Sequence, residues 1–330
     1  MGRNLKTSSN YQDSGLDSNR SGFHLSLFIK ACLRGVSQVV FIKNSWTGFF
    51  ILGGLFLNDP WVSFCGIMGL FFSTLFANFL DLDKEEWKSG LFGFNGFLIG
   101  LALGTFQIFK ENPSVFFVMA LTLVLSSLTL LLQIFLEAFF KRRLQCSGLT
   151  FPFNIVFFIF IIGTIRYGQL PPPFKVTISN EGSFYFLFLL EGVLRGVSQV
   201  FLAESLYSGL FIISGMLIGS LRLTIFALLG SSLGLLTALV LGISKGEIIS
   251  GIWQYNAVLS CMGIGGVFYS WSKRLAFFCS LCGLFTALLT GFLIQILPGG
   301  FPFGTLPFCL GTMKFIVVLN QMSKIKTKEI

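Results

Sequence analysis

Charge is scarce in this chain. Asp, Glu, Lys and Arg make up 11% of its 330 residues, roughly half the fraction usual in a soluble domain. There is one histidine, His24, and no HExxH motif; none of the seven cysteines has a histidine beside it. Glu137, Glu191 and Glu204 stand towards the ends of apolar segments, and no aspartate lies inside an apolar run. A membrane-embedded hydrolase needs a nucleophile–base pair or metal ligands within its spans, and no such pair or ligand set is written here. An ion-coupled carrier commonly buries carboxylates or a histidine relay, and that pattern is missing too. His24, at the edge of the first apolar segment, reads as an interfacial residue.

What is abundant is apolar. Hydrophobic residues make up 54% of the chain, 42 residues are Phe, and the mean hydropathy is +0.81. The apolar runs are continuous, whereas barrel strands alternate, so the composition predicts an all-α polytopic membrane protein. The net charge of +9 gathers in tails and connecting loops, as orientation by positive charge on the cytoplasmic side requires; this argues against nucleic-acid binding. Cys279 and Cys282 are spaced CxxC, but inside an apolar span small thiols read as packing residues. Residues 1–22 are polar, without the apolar core of a cleaved signal peptide, and read as a disordered cytoplasmic tail.

The chain repeats itself. "LRGVSQV" stands at residues 33–39 and again at 194–200, an offset of 161. The offset persists through Trp46 and Tyr207, Gly48 and Gly209, Gly54 and Gly215, Gly90 and Gly251, and Asn95 and Asn256. It then drifts to 155, where "TFPF" (150–153) answers "TLPF" (305–308). Two copies of one unit are predicted, at 23–165 and 184–320, joined by a linker over 166–183. Residues 321–330 form a second tail.

Positive charge orders the copies across the bilayer. "KRR" (141–143) in the first copy corresponds to uncharged "PGGFPFG" (298–304), and "SKR" (272–274) to "KENP" (110–113), where Glu111 opposes the lysine. Equivalent loops of unequal positive charge lie on opposite sides, so the repeat is read as inverted. Inversion needs an odd number of spans per copy. Five segments in the first copy approach the length needed to cross the bilayer, near 25–43, 45–57, 61–80, 114–140 and 150–165. "SGLFGFNGFLIG" (89–100) and "SGIWQYNAVLSC" (250–261) are shorter, Gly-rich and polar in the middle, and suit re-entrant half-helices lining a cavity. The expected architecture is therefore two inverted-topology repeats of five transmembrane helices plus one half-helix each, about ten spans. Both tails would be cytoplasmic and the linker extracytoplasmic.

The polar residues that repeat are neutral: Ser37 and Ser198, Gln38 and Gln199, Asn95 and Asn256, Thr150 and Thr305. Each pair is expected near the pseudo-two-fold axis at the membrane midplane. Moving an unpaired amide into hydrocarbon costs roughly 4–8 kcal/mol, and a path lined by amides and hydroxyls removes much of that cost for a small uncharged solute. The doubled glutamine is the strongest pathway candidate. The asparagines fit equally well as half-helix caps or solute contacts. Phe94 and Tyr255 precede them, and Phe41 follows Gln38 by three residues, offering flat walls for a flat solute. Arg34 and Arg195 recur without an assigned role.

"LRGVSQVVF", "GLFGFNGFL" and "GIWQYNAVL", with "FPFGTLPF" (301–308) and "CSGLTFPF" (146–153), resemble the glutamine, half-helix and Thr-Pro-Phe motifs of the urea transporter family. The resemblance covers residues 25 to 320. Phe301 stands where the family's last motif has Leu, and the first copy lacks the leading Leu-Pro. The resemblance implies a homotrimer with one pore per subunit, no cofactor, and channel-like facilitated diffusion of urea in an inner or plasma membrane. Gln38 and Gln199 would then meet urea at the two mouths of the filter. Phe41, Val200, Phe94, Leu98, Tyr255 and Leu259 would form an apolar slot, and Thr150 and Thr305 would flank its narrow centre. A channel for short amides or ammonia is the nearest alternative, although ammonia passage would favour buried histidines.

Overall fold

A computed structural model describes residues 24–106, 114–165, 185–297 and 301–322. The N-terminal tail, residues 323–330 of the C-terminal tail, "KENP" (110–113), the linker and residues 298–300, on which much of the charge-based sidedness rests, lie outside these.

The first half runs α1 (Leu25–Gln38), α2 (Ser45–Asn58), α3 (Pro60–Phe79), α4 (Lys84–Lys88), α5 (Phe94–Thr105), α6 (Val115–Leu144) and α7 (Phe151–Ile165). The second runs α8 (Tyr185–Ser198), α9 (Leu206–Gly219), α10 (Leu221–Val240), α11 (Lys245–Ile249), α12 (Tyr255–Cys261), α13 (Lys273–Ile296) and α14 (Leu306–Asn320). Lengths match pairwise in the first four helices of each half: 14, 14, 20 and 5 residues for α1–α4, and the same for α8–α11.

The repeated word builds a repeated bend. At the end of α1 the Ser37 hydroxyl donates to Ile42 O at 2.6 Å; at the end of α8 Ser198 donates to Ala203 O, also at 2.6 Å. Each serine turns the chain back through a residue in the left-handed region, Phe41 (φ 59°) and Leu202 (φ 57°). Asn44 then caps α2 by accepting from Trp46 N and Thr47 N, and Ser205 caps α9 through Ser208 N, each satisfying helix donors that have no partner of their own. The segment Phe186–Phe201 meets α9 at 76°. A helix was expected to run through residue 43; this lock ends it at Gln38 instead. Gly48 and Gly209 admit the close crossing that follows. A Cβ on Gly48 would stand 1.8 Å from Leu33 O, and one on Gly209 2.5 Å from Leu194 O.

α2 and α9 join the halves. Thr47 Oγ1 donates to Gly215 O at 2.8 Å, and Ser208 Oγ donates to Gly54 O at 2.6 Å. The start of each helix thus meets the end of the other, and the two run antiparallel.

Two chain reversals precede two short buried helices. Gly90 (φ 83°) and Gly251 (φ 81°) turn the backbone where a side chain would be strained. α5 follows with ten consecutive buried residues, Asn95 to Gly104. It is 12 residues long, about 18 Å at 1.5 Å per residue, short of a span. α12 is equally buried and continues as a π-helical segment, Met262–Phe268.

Among the described residues four helices are long and apolar enough to cross a bilayer, α3, α6, α10 and α13, or five if the bent α8–α9 pair is one span. They carry large apolar side chains outward, among them Phe116, Phe135, Val240 and Phe292, as lipid-facing surface does. The chain is a multi-pass helical membrane protein. "KRR" (141–143), expected in a loop, rides the last turn of α6, where cations complement the helix dipole.

Candidate functional site

α7 and α14 begin beside one another, and their first turns bring the two halves into polar contact. Thr150 Oγ1 lies 2.6 Å from Thr305 Oγ1, which stands 155 positions further along the chain. Both are 4% exposed. Around them stand Cys309, whose Sγ is 3.1 Å from Thr150 Oγ1, and Asn154, whose Nδ2 donates to Thr305 Oγ1 and to Thr150 O, both at 3.0 Å. Asn154 Oδ1 accepts from Thr305 N at 2.9 Å, satisfying a helix-start donor that is buried and cut off from water. Of the four repeated polar pairs, the threonines are brought into direct contact. Ser37 and Ser198 serve the bends instead.

The glutamines do not behave alike. Gln38 Nε2 donates to Ser89 O at 3.0 Å, tying the end of α1 to the turn before α5. Gln199 is 1% exposed, and its Oε1 is buried without a partner. Gln199 lines a cleft of about 30 Å³ together with Phe153, Phe157, Tyr255, Phe303 and Gly304. Two near-parallel ring pairs wall it: Phe153 and Phe157 at 5.3 Å and 14°, Tyr255 and Phe303 at 6.1 Å and 15°. A buried carbonyl left unpaired costs on the order of 1–3 kcal/mol.

The six apolar candidates share one continuous core cluster: Leu98, Val200, Tyr255 and Leu259 are buried in it, and Phe41 and Phe94 pack against it half-buried. Phe41 reaches α14, its ring 6.2 Å from Phe308 and 6.5 Å from Phe268. Tyr255 goes beyond a wall residue, because its hydroxyl donates to Gly304 O at the approach to α14.

The asparagines cap neither α5 nor α12. Asn95 Nδ2 donates to Gln133 Oε1 at 3.0 Å, and Gln133 Nε2 to Leu91 O at 2.8 Å. Asn256 Oδ1 accepts from Phe308 N at 3.2 Å, in the first turn of α14. Their role is to cross-tie helices. The recurrent arginines also hold backbone: Arg34 donates to Lys88 O, and Arg195 to Glu204 O, both at 2.9 Å. Arg195 also pairs with Glu191 at 2.7 Å. Glu137 accepts from Gly148 N at 2.7 Å and supports the approach to Thr150. Among the described residues no three His, Cys, Asp or Glu side chains gather as metal ligands do.

Sequence reasoning missed Asn154, Cys309 and Phe303. Asn154 escaped because its counterpart at the offset of 155 is Cys309, so it is not a repeated polar residue. Its one signal was position, four residues after Thr150 and one helical turn along the same face.

Urea transporter 1 of Capra hircus is 29% identical over 303 residues, covering 89% of this chain and 78% of its own. Urea transporter 1 of Ovis aries matches equally, and that of Rattus norvegicus is 28% identical over the same coverage. The family model "Urea transporter" matches residues 29–320, nearly all of both halves and the junction between them. The chain belongs to the urea transporter family.

Proposed function

We propose that this protein carries urea passively across a membrane, along a path through the junction of its two halves. The observation that carries this reading is the Thr150–Thr305 contact beside a cleft with flat aromatic walls and the unpaired Gln199 carbonyl. Urea is planar, neutral and rich in N–H donors, with one carbonyl acceptor. Stacked rings fit its faces, unpaired carbonyls its amide edges and a hydroxyl pair its oxygen. An ion would meet no compensating charge along these walls, and its burial cost would stand. The path runs past Gln38 or Gln199 at its mouths, through a slot of Phe41, Val200, Phe94, Leu98, Tyr255 and Leu259, with Thr150 and Thr305 at the centre.

The reciprocal bonds of Thr47 to Gly215 and Ser208 to Gly54 support an axis perpendicular to α2 and α9. With both helices crossing the bilayer, that axis lies in its plane and the halves are inverted. Ten spans follow if the 14- and 15-residue helices α1, α2, α7, α8, α9 and α14 count with the four long ones, leaving α5 and α12 as half-helices. The unit is taken as a homotrimer in an inner or plasma membrane, with residues 1–22 and 321–330 cytoplasmic and 166–183 outside.

The test is urea entry into proteoliposomes down an imposed urea gradient. Entry faster than in empty vesicles, without a proton or sodium gradient, is the expected result. Entry equal to the empty-vesicle rate would sink the proposal. Accumulation against a urea gradient driven by either ion would replace a channel with a coupled carrier.

A further inference from the structure

The central node is symmetric in position and asymmetric in chemistry. The offset of 155 that pairs Thr150 with Thr305 also pairs Asn154 with Cys309. Each of these stands one helical turn after its threonine and reaches across to the threonine of the other half: Cys309 Sγ to Thr150 Oγ1 at 3.1 Å, Asn154 Nδ2 to Thr305 Oγ1 at 3.0 Å. Cys309 is fully buried and Asn154 is 1% exposed. Asn154 alone also grips the backbone on both sides, donating to Thr150 O and accepting from Thr305 N.

The Asn154 amide has two N–H groups; they serve Thr150 O and Thr305 Oγ1 at 3.0 Å, with a longer shared contact to Cys309 Sγ at 3.5 Å. The two hydroxyls and the thiol hold three further hydrogens, one each. They serve two contacts, Thr150 to Thr305 and Thr150 to Cys309. Whichever way each contact points, one hydrogen is surplus. With an amide N–H already on Thr305 Oγ1, that oxygen is held as an acceptor from Asn154. In each arrangement except the one in which Thr150 donates to the thiol sulfur, a weak acceptor, the surplus hydrogen is a threonine O–H, and the pair is then biased to offer it to a solute rather than to take one.

We infer that Asn154 is a positioning residue that fixes the threonine pair as a hydrogen-bond donor to the carbonyl oxygen of the solute. It thereby sets selectivity for carbonyl solutes over shape-matched ones with a weak acceptor. The inference rests on the reading that Thr150 and Thr305 face the solute path.

The full-length protein in proteoliposomes provides the test, with urea and thiourea influx measured separately. Thiourea keeps the planar shape and the N–H groups, but its sulfur accepts hydrogen bonds weakly. Asn154→Cys places at 154 the side chain that the same fold carries at 309. The ratio of urea to thiourea influx is expected to fall about three- to tenfold, the span of one ordinary hydrogen bond, with thiourea influx little changed. The exchange Asn154→Cys with Cys309→Asn, which returns one amide to the node from the opposite helix, is expected to restore most of the ratio. Thr305→Val separates the two readings. If Thr305→Val lowers the ratio while Asn154→Cys leaves it native, the threonines face the path and the role given to Asn154 is wrong. If Thr305→Val leaves both fluxes native, the threonine pair is off the path and the underlying reading fails first. Parallel loss of both fluxes in Asn154→Cys marks a merely structural residue and overturns the inference. Should the single variant not fold, the exchange variant decides alone, and a folded exchange protein with the ratio of Thr305→Val also overturns it.

Discussion

Gln38 and Gln199 occupy the same place in a word written twice, yet Gln38 spends its amide nitrogen on Ser89 O while Gln199 keeps a buried, unpaired carbonyl at a cleft. The two mouths of the proposed path are therefore inequivalent. Gln199→Ala is expected to raise the half-saturating urea concentration about three- to tenfold, the worth of one hydrogen bond. Gln38→Ala is expected to act mainly on stability, lowering the melting temperature in detergent. Saturation curves in proteoliposomes compare the two, and equal effects on half-saturation would contradict this division.

Tyr255 occupies a carbonyl that borders the cleft. Its hydroxyl bonds Gly304 O, to which Asn256 Nδ2 adds a long contact at 3.5 Å. Tyr255→Phe keeps the ring stacked on Phe303 and returns most of that acceptor to the solute. The expected result is tighter half-saturation, by about two- to fivefold, with a stability loss of about 1 kcal/mol for the missing bond. Unchanged half-saturation would show that Gly304 O is not presented to urea.

Gly48→Ala and Gly209→Ala push a methyl group into the backbone carbonyls of Leu33 and Leu194, which cannot swing aside as side chains do. The bend after each glutamine should open, costing about 1–3 kcal/mol and several degrees of melting temperature. Gly53→Ala is the control, because its nearest neighbour is a phenylalanine ring carbon at 3.6 Å. Equal tolerance of all three would remove the close-approach argument.

The inverted arrangement predicts that α4 and α11 face opposite sides of the membrane. Glu85 and Glu247 are exposed on them. In a Cys32→Ser background, whose other native thiols are buried, Glu85→Cys and Glu247→Cys should react with an impermeant maleimide from opposite faces of oriented vesicles. Labelling from one face would make the repeat parallel.

The sequence by itself determined the class of molecule and its internal duplication. A composition with so little charge cannot fold in water, and an offset of 161 carried through glycines and amides leaves little choice but two copies of one unit. It also marked the threonine pair and the two short buried helices, because short Gly-rich segments with a central amide are stable at membrane depth only when enclosed. Equivalence between copies is a statement about symmetry, however, and contact is a statement about distance. Only the tertiary structure decided that the threonines touch, that the repeated serines lock bends, that the asparagines tie neighbouring helices, and that one glutamine ties its amide nitrogen to Ser89 while its twin keeps a buried carbonyl unpaired. Asn154 shows why: its importance comes from the backbone and hydroxyl it meets across the junction of the halves. Along the chain that partnership leaves only its spacing from Thr150, because the repeat puts a cysteine where a second asparagine would have drawn attention.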